Sequence, residues 1–160
     1  MLPDVLGPNL KVVFCGTAAG SESARRKAYY AGPGNKFWRT LYRTELTPVQ
    51  LEPGEYKKVL EYGIGLTDLV KGVSGADSEL SKKIFDIAGL EAKILNNSPK
   101  VLCFNGKKSA QEYMGTKQIE YGLQNTKIGK TLIYVAPSTS GAASGYWDED
   151  YYFELASIIK

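Results

Sequence analysis

The sequence contains no histidine, and its 160 residues include only two cysteines, Cys15 and Cys103. Without histidine, Ser-His-Asp and Cys-His nucleophile systems are excluded, and so is an imidazole base near neutral pH. Two cysteines cannot supply the four thiolates of a Cys₄ zinc site or an iron–sulfur cluster. Each lies in a short apolar run, which predicts a reduced, buried thiol. Also missing is any run of 18 apolar residues, so no segment is expected to span a membrane. Met1-Leu2-Pro3-Asp4 has neither a charged n-region nor an apolar h-region, so no signal peptide is expected and the predicted compartment is the cytoplasm. Chemistry is left to carboxylates, hydroxyls, amides and the backbone.

What is present fits one globular domain over residues 1–160, with 43% hydrophobic and 23% charged residues. A net charge of +3 is compatible with a polyanionic partner without requiring one. Leu10 to Cys15, Val101 to Phe104 and Thr131 to Val135 are short, nearly continuous apolar runs, ended by Gly16, Gly106 and Pro137. Such runs predict strands of a parallel sheet covered on both faces. Helices are expected between them: Phe37 to Leu46 with Asn35 as N-cap, Glu79 to Asn97 broken at Gly89, and Asp148 to Lys160. The expected fold class is α/β, a three-layer α/β/α sandwich around a short, mainly parallel central sheet.

In an open parallel sheet the ligand site lies beyond the carboxyl ends of the strands. Three loops rich in small residues are expected there: Gly16 to Ser21, Gly65 to Asp68, and Ala136 to Ser144. The first is neither a Walker loop nor G-x-G-x-x-G, and by itself it reads more readily as a tight strand-to-helix turn than as a phosphate cradle.

Further along, Ala28 to Arg39 reads A-Y-Y-A-G-P-G-N-K-F-W-R. With G-T-A-A-G at Gly16 to Gly20, this segment resembles the first half of the mismatch-specific uracil/thymine-DNA glycosylases, within the uracil-DNA glycosylase superfamily. Those enzymes carry G-I-N-P-G, then an aromatic residue, then P-G-P-G-N-x-F-W or H-P-x-N-x-F-W. Tyr62 to Val70 is similar to the family's base-binding strand end, and Tyr121-Gly122-Leu123-Gln124 and A-P-S-T-S-G resemble its thymine-excising branch. The likeness runs in order along nearly the whole chain.

The resemblance implies a monofunctional glycosylase that flips uracil out of duplex DNA, at G·U or similar mismatches, and hydrolyses its N-glycosidic bond. It implies no metal or organic cofactor, and a monomer whose partner is DNA containing uracil or another deaminated base. Tyr30 is the expected stacking platform, with Tyr29 able to exchange roles with it and a half-buried core position as the alternative. Thr17, Ala18 and Gly20 are expected to line the base pocket. Where the family's asparagine positions the attacking water, this chain has Ala18, which cannot hold one. The catalytic expectation therefore moves to Asp68, as a water-orienting base or an electrostatic stabiliser; a surface N-cap is its alternative. Glu22 is a weaker carboxylate candidate, more simply read as a helix-start charge. Ser138, Thr139 and Ser140 are expected to meet DNA phosphates through hydroxyl and N–H groups. Gly141 and Ala142 lie where the family inserts a wedge, yet are too small to fill a duplex gap. Arg25 and Arg26 are expected near the DNA entrance, or on an ordinary solvated helix face. Two further readings stay open: excision of hypoxanthine or xanthine, and a catalytically inactive DNA-lesion-binding module.

Overall fold

The computed structural model describes residues 2–70 and 85–160. Five strands form one sheet: β1 (Val12–Gly16), β2 (Ile64–Asp68), β3 (Val101–Asn105), β4 (Gly122–Ile128) and β5 (Thr131–Ala136), in the order β2-β1-β3-β5-β4. The first four in that order run parallel, and β4 pairs antiparallel with β5 at the edge. The helices are α1 (Ser21–Arg26), α2 (Phe37–Arg43), α3 (Ile87–Asn97), α4 (Lys107–Met114) and α5 (Asp150–Ile159), with 3₁₀ segments at Pro53–Tyr62 and Gly141–Tyr146. The expected α/β class and mainly parallel sheet are what the chain adopts.

Strand alternation divides the core into two layers. Val12 and Phe14 of β1 face a cluster holding Phe37 and Leu41 of α2, Val59, and Tyr152 and Leu155 of α5. Val13 and Cys15 face the other side, with Leu90 and Ile94 of α3 and Ala110 of α4. Phe14, Phe37, Leu41 and Ile94 are wholly excluded from solvent; each such side chain contributes about 1.5–3 kcal/mol of burial. Cys15 and Cys103 are buried in the sheet, and burial pushes the Cys103 thiol well above its usual range, which keeps it protonated.

Several expectations are corrected. Gly65 to Asp68 is the body of β2 rather than a loop. Its glycine is required by a close approach: a Cβ on Gly65 would lie 2.8 Å from the carbonyl of Val5 and 2.8 Å from Leu10. The N-terminal segment crosses there and bridges to β2, Val5 and Leu66 exchanging backbone hydrogen bonds of 2.9 and 2.8 Å. Gly89 does not break a helix. It sits in the first turn of α3, its N–H donating to the Asp86 cap at 2.8 Å. The helix starts only at Ile87, and the part of the expected helix from Glu79 to Ile84 lies outside the described residues. The N-cap of α2 is Lys36 rather than the expected Asn35, which sits one residue earlier and accepts from the Phe37 N–H at 3.0 Å. Among the described residues no helix is long and apolar enough to cross a membrane.

Candidate active site

The parallel strands deliver their last residues to one level. Gly16 of β1 is in register with Asp68 of β2, and Asn105 of β3 with Ala136 of β5. Beyond these ends opens a cavity of about 350 Å³, walled by residues 16–20, by Tyr29 and Tyr30, and by Ser138 and Ser140, with Asp68 and Asn105 at the strand ends. This is the carboxyl-end crevice that the topology favours for a ligand.

Asp68 is 6% exposed, so it is not a surface cap. A Cβ on Gly16 would lie 3.0 Å from Asp68 Oδ1 and 3.7 Å from the Tyr30 hydroxyl. Only glycine leaves that point clear. Behind Asp68, the Thr67 hydroxyl donates to Asp4 at 2.7 Å, and Asp4 also pairs with Lys93 at 2.7 Å.

Tyr30 adopts φ = 53°, left-handed backbone that a non-glycine residue rarely takes. Its flanks are anchored: the Trp38 indole N–H donates to the Tyr29 carbonyl at 3.0 Å, and the Ala31 N–H donates to Ser23 Oγ at 3.0 Å. The ring stacks on Phe37 with centroids 4.0 Å apart, so one face is covered. Burial, reinforced by the Asp68 carboxylate, raises the Tyr30 hydroxyl well above the ordinary tyrosine range, while the Asn105 amide acts weakly the other way. Tyr29 is 2% exposed, donates to the Pro3 carbonyl at 3.0 Å and packs on Tyr56. Its ring belongs to the core, whereas Tyr30 is half-buried, packs against the same core cluster and lines the cavity.

Thr17, Ala18 and Gly20 line the cavity, as does Glu22. Glu22 is engaged by both neighbouring arginines, Arg25 at 2.5 Å and Arg26 at 2.7 Å. Those ion pairs hold its carboxyl below the usual range and halve the positive charge that Arg25 and Arg26 present. The two arginines are exposed and do not line the cavity.

In the loop after β5, Ser138 and Ser140 reach the cavity but Thr139 does not. Thr139 is 1% exposed; its hydroxyl accepts from the Asn105 amide and its N–H donates to Asn105 Oδ1, both at 3.0 Å. It positions Asn105 and presents nothing outward. The N–H groups of Ser140 and Ala142 are likewise engaged, by Ser138 Oγ and Ser140 Oγ. Hydroxyls, rather than N–H groups, are what this loop turns to the opening. Gly141 serves packing: a Cβ there would lie 3.2 Å from the Pro33 carbonyl and 3.4 Å from Gly34, so the two loops touch backbone to backbone.

Sequence reasoning missed Asn105, and set Asn35 aside as a cap although it lines the cavity too. The available signals were an asparagine closing an apolar strand run, and the asparagine inside G-P-G-N-K-F-W. Leu2, also on the cavity wall, carried no signal.

A family model, the uracil DNA glycosylase superfamily, matches residues 3–156. The chain belongs to the uracil-DNA glycosylase superfamily. A solution NMR structure from Methanosarcina acetivorans, described as a "putative Uracil DNA glycosylase", is similar at 27% identity with a TM-score of 0.64, covering 99% of this chain and 94% of that one. Membership makes the protein a DNA glycosylase, a hydrolase of the bond between base and sugar. The superfamily match takes in all the cavity walls except Leu2.

Proposed function

We propose that the protein removes uracil from DNA, at G·U or similar mismatches, by hydrolysis of the N-glycosidic bond. One observation carries this reading: a buried carboxylate, Asp68, and the hydroxyl end of an aromatic residue, Tyr30, converge beside Gly16 in a cavity large enough for a base. A base flipped into the cavity stacks on the uncovered face of Tyr30, recovering about 1–3 kcal/mol of the unstacking cost. Small residues at Gly16, Ala18 and Gly20 let the nucleotide approach the backbone.

Bond breaking leaves positive charge on the sugar and negative charge on the departing base. A carboxylate beneath the sugar stabilises the first and accepts a proton from an incoming water; it would repel the base anion if it faced the base directly. Asp68 therefore works on the sugar and water side. No lysine is among the described residues lining the cavity, which favours hydrolysis by water over imine formation. On the DNA side, the Ser138 and Ser140 hydroxyls flank the opening. Tyr146, 75% exposed at the end of the Gly141–Tyr146 segment, is the large side chain available to fill the vacated stack. No cofactor is needed for this chemistry, and one copy of the chain carries the whole cavity.

The test uses end-labelled duplexes carrying single uracil, thymine, hypoxanthine or xanthine, followed by alkali to cleave abasic sites. Uracil release is expected, and Asp68→Asn should slow it at least about 100-fold. Release of hypoxanthine or xanthine alone would move the substrate to deaminated purines. Retarded migration with no cleavage of any duplex would make the protein a lesion-binding module. Full activity in Asp68→Asn would remove Asp68 from the chemistry.

A further inference from the structure

The Tyr30 hydroxyl oxygen is buried and makes no hydrogen bond of good geometry among the described residues; the nearby Asn105 amide acts on it only weakly. The other such side-chain atom is Thr40 Oγ1, in the body of α2 away from the cavity. A buried hydroxyl without a partner costs about 1–3 kcal/mol. Tyr30 also carries left-handed backbone at φ = 53°, a conformation that costs a similar amount. Two such costs at one residue that lines the cavity point to use.

The use follows from where the oxygen is. It lies 3.7 Å from the point where a Gly16 Cβ would be, and Asp68 Oδ1 lies 3.0 Å from the same point. The hydroxyl is in the plane of its ring, so it cannot bond a base stacked on the ring's face. It reaches past the edge of such a base, toward Asp68. Burial keeps its proton in place, so it remains a donor at any working pH.

We propose that the Tyr30 hydroxyl and the Asp68 carboxylate together hold the attacking water in the space above Gly16, so that Tyr30 is a catalytic residue through its O–H as well as its ring. This deepens the glycosylase reading above and rests on it. The Tyr30 O–H donates to one lone pair of the water, and the water donates one hydrogen to Asp68 Oδ1. Its second lone pair is then directed at the sugar carbon. As the bond from that carbon to the base nitrogen breaks, the electron pair leaves with the base. The water oxygen bonds to the carbon, its proton passes to Asp68 and then to solvent, and the base anion takes a proton from solvent. Donating to the nucleophile costs little reactivity, because the sugar is already cation-like when the oxygen arrives. The gain is orientation.

Tyr30→Phe separates ring from hydroxyl. Single-turnover release from the best-cleaved duplex should fall about 10- to 100-fold. Affinity for a duplex carrying 2′-fluorinated deoxyuridine, whose fluorine blocks cleavage by destabilising the sugar cation, should stay within about twofold. The melting temperature should hold or rise, because an unsatisfied buried oxygen is removed. An unchanged rate in Tyr30→Phe would overturn the proposal while leaving the glycosylase reading intact. Affinity lost in step with rate would place the hydroxyl on the base and overturn the water assignment. A lowered melting temperature would mean that the hydroxyl braces the fold, and would overturn it too. A wild-type protein that releases no base from any duplex would refute the underlying reading, and this one with it.

Discussion

Gly16→Ala is the sharpest probe of the cavity, because it adds one methyl group at the point that two oxygens approach. The new Cβ would sit 3.0 Å from Asp68 Oδ1 and 3.7 Å from the Tyr30 hydroxyl. The second distance is ordinary contact. The first requires the carboxylate to withdraw by roughly 0.4 Å to reach a normal carbon–oxygen separation. A misplacement of about 1 Å near reacting atoms costs on the order of 100-fold, so the shift alone predicts roughly a tenfold loss. The methyl group also fills space proposed for the water, and the combined expectation is a 10- to 100-fold slower single-turnover release. Stability should barely move. Gly16 has ordinary extended backbone within β1, and alanine restricts the unfolded chain by about 0.4–1 kcal/mol, offsetting the local contact. A change of about 1 kcal/mol in a chain of this size shifts melting by roughly 2–4 °C. Single-turnover release and a thermal melt on the same preparation decide the matter. Wild-type rate in Gly16→Ala would refute the placement of chemistry above Gly16. A melting temperature lowered by tens of degrees would show instead that the site has no room to give.

Tyr146→Ala should weaken binding of a uracil duplex about 5- to 150-fold in titrations read by fluorescence anisotropy, in line with about 1–3 kcal/mol for one stacked ring. Its melting temperature should match wild type, since the side chain is 75% exposed; unchanged affinity would remove Tyr146 as the wedge. Alkaline pH supplies a second check. Burial raises the hydroxyl groups of Tyr29, Tyr30, Tyr134 and Tyr152 above the ordinary value of 10.0. Their contribution to stability is complete below that value and is lost as pH rises through the folded-state values, because the unfolded chain ionises first. Melting temperature measured from pH 8 to 11.5 should hold to about pH 10 and then fall. Phenolate absorbance rising before unfolding would contradict the burial of these four rings.

The strands legible in the sequence, β1, β3 and β5, are nearly continuous apolar runs, the direct signature of a covered sheet. β4 is a polar edge, Gly122–Ile128, held by pairing to β5 rather than by burial, so hydrophobicity could not mark it. β2 was hidden by Gly65 and Asp68, poor strand formers in isolation. Its glycine is explained only by the N-terminal segment passing over it, a contact between positions 60 residues apart that no local pattern encodes. At the site, the motif residues Tyr30, Asp68, Ser138 and Ser140 do gather around one cavity. Thr139 is indistinguishable from its serine neighbours by type, and which of three adjacent hydroxyls turns inward depends on the loop's path over Asn105. Arg25 and Arg26 read as a basic patch, but Glu22 one helical turn earlier offsets them.

The crossing of the N-terminal segment has a thermodynamic consequence. Leu2 lines the cavity, Pro3 receives the Tyr29 hydroxyl, Asp4 receives the Thr67 hydroxyl, and Val5 bridges to Leu66. Three successive residues, Pro3 to Val5, thus brace the strand that carries Asp68 and the segment that carries Tyr30. A short segment held to a sheet by a few bonds opens locally at free energies far below that of global unfolding. The cavity is therefore no more durable than the attachment of residues 2–5, whatever the strength of the sheet behind it. Detachment of that segment separates loss of the site from loss of the fold.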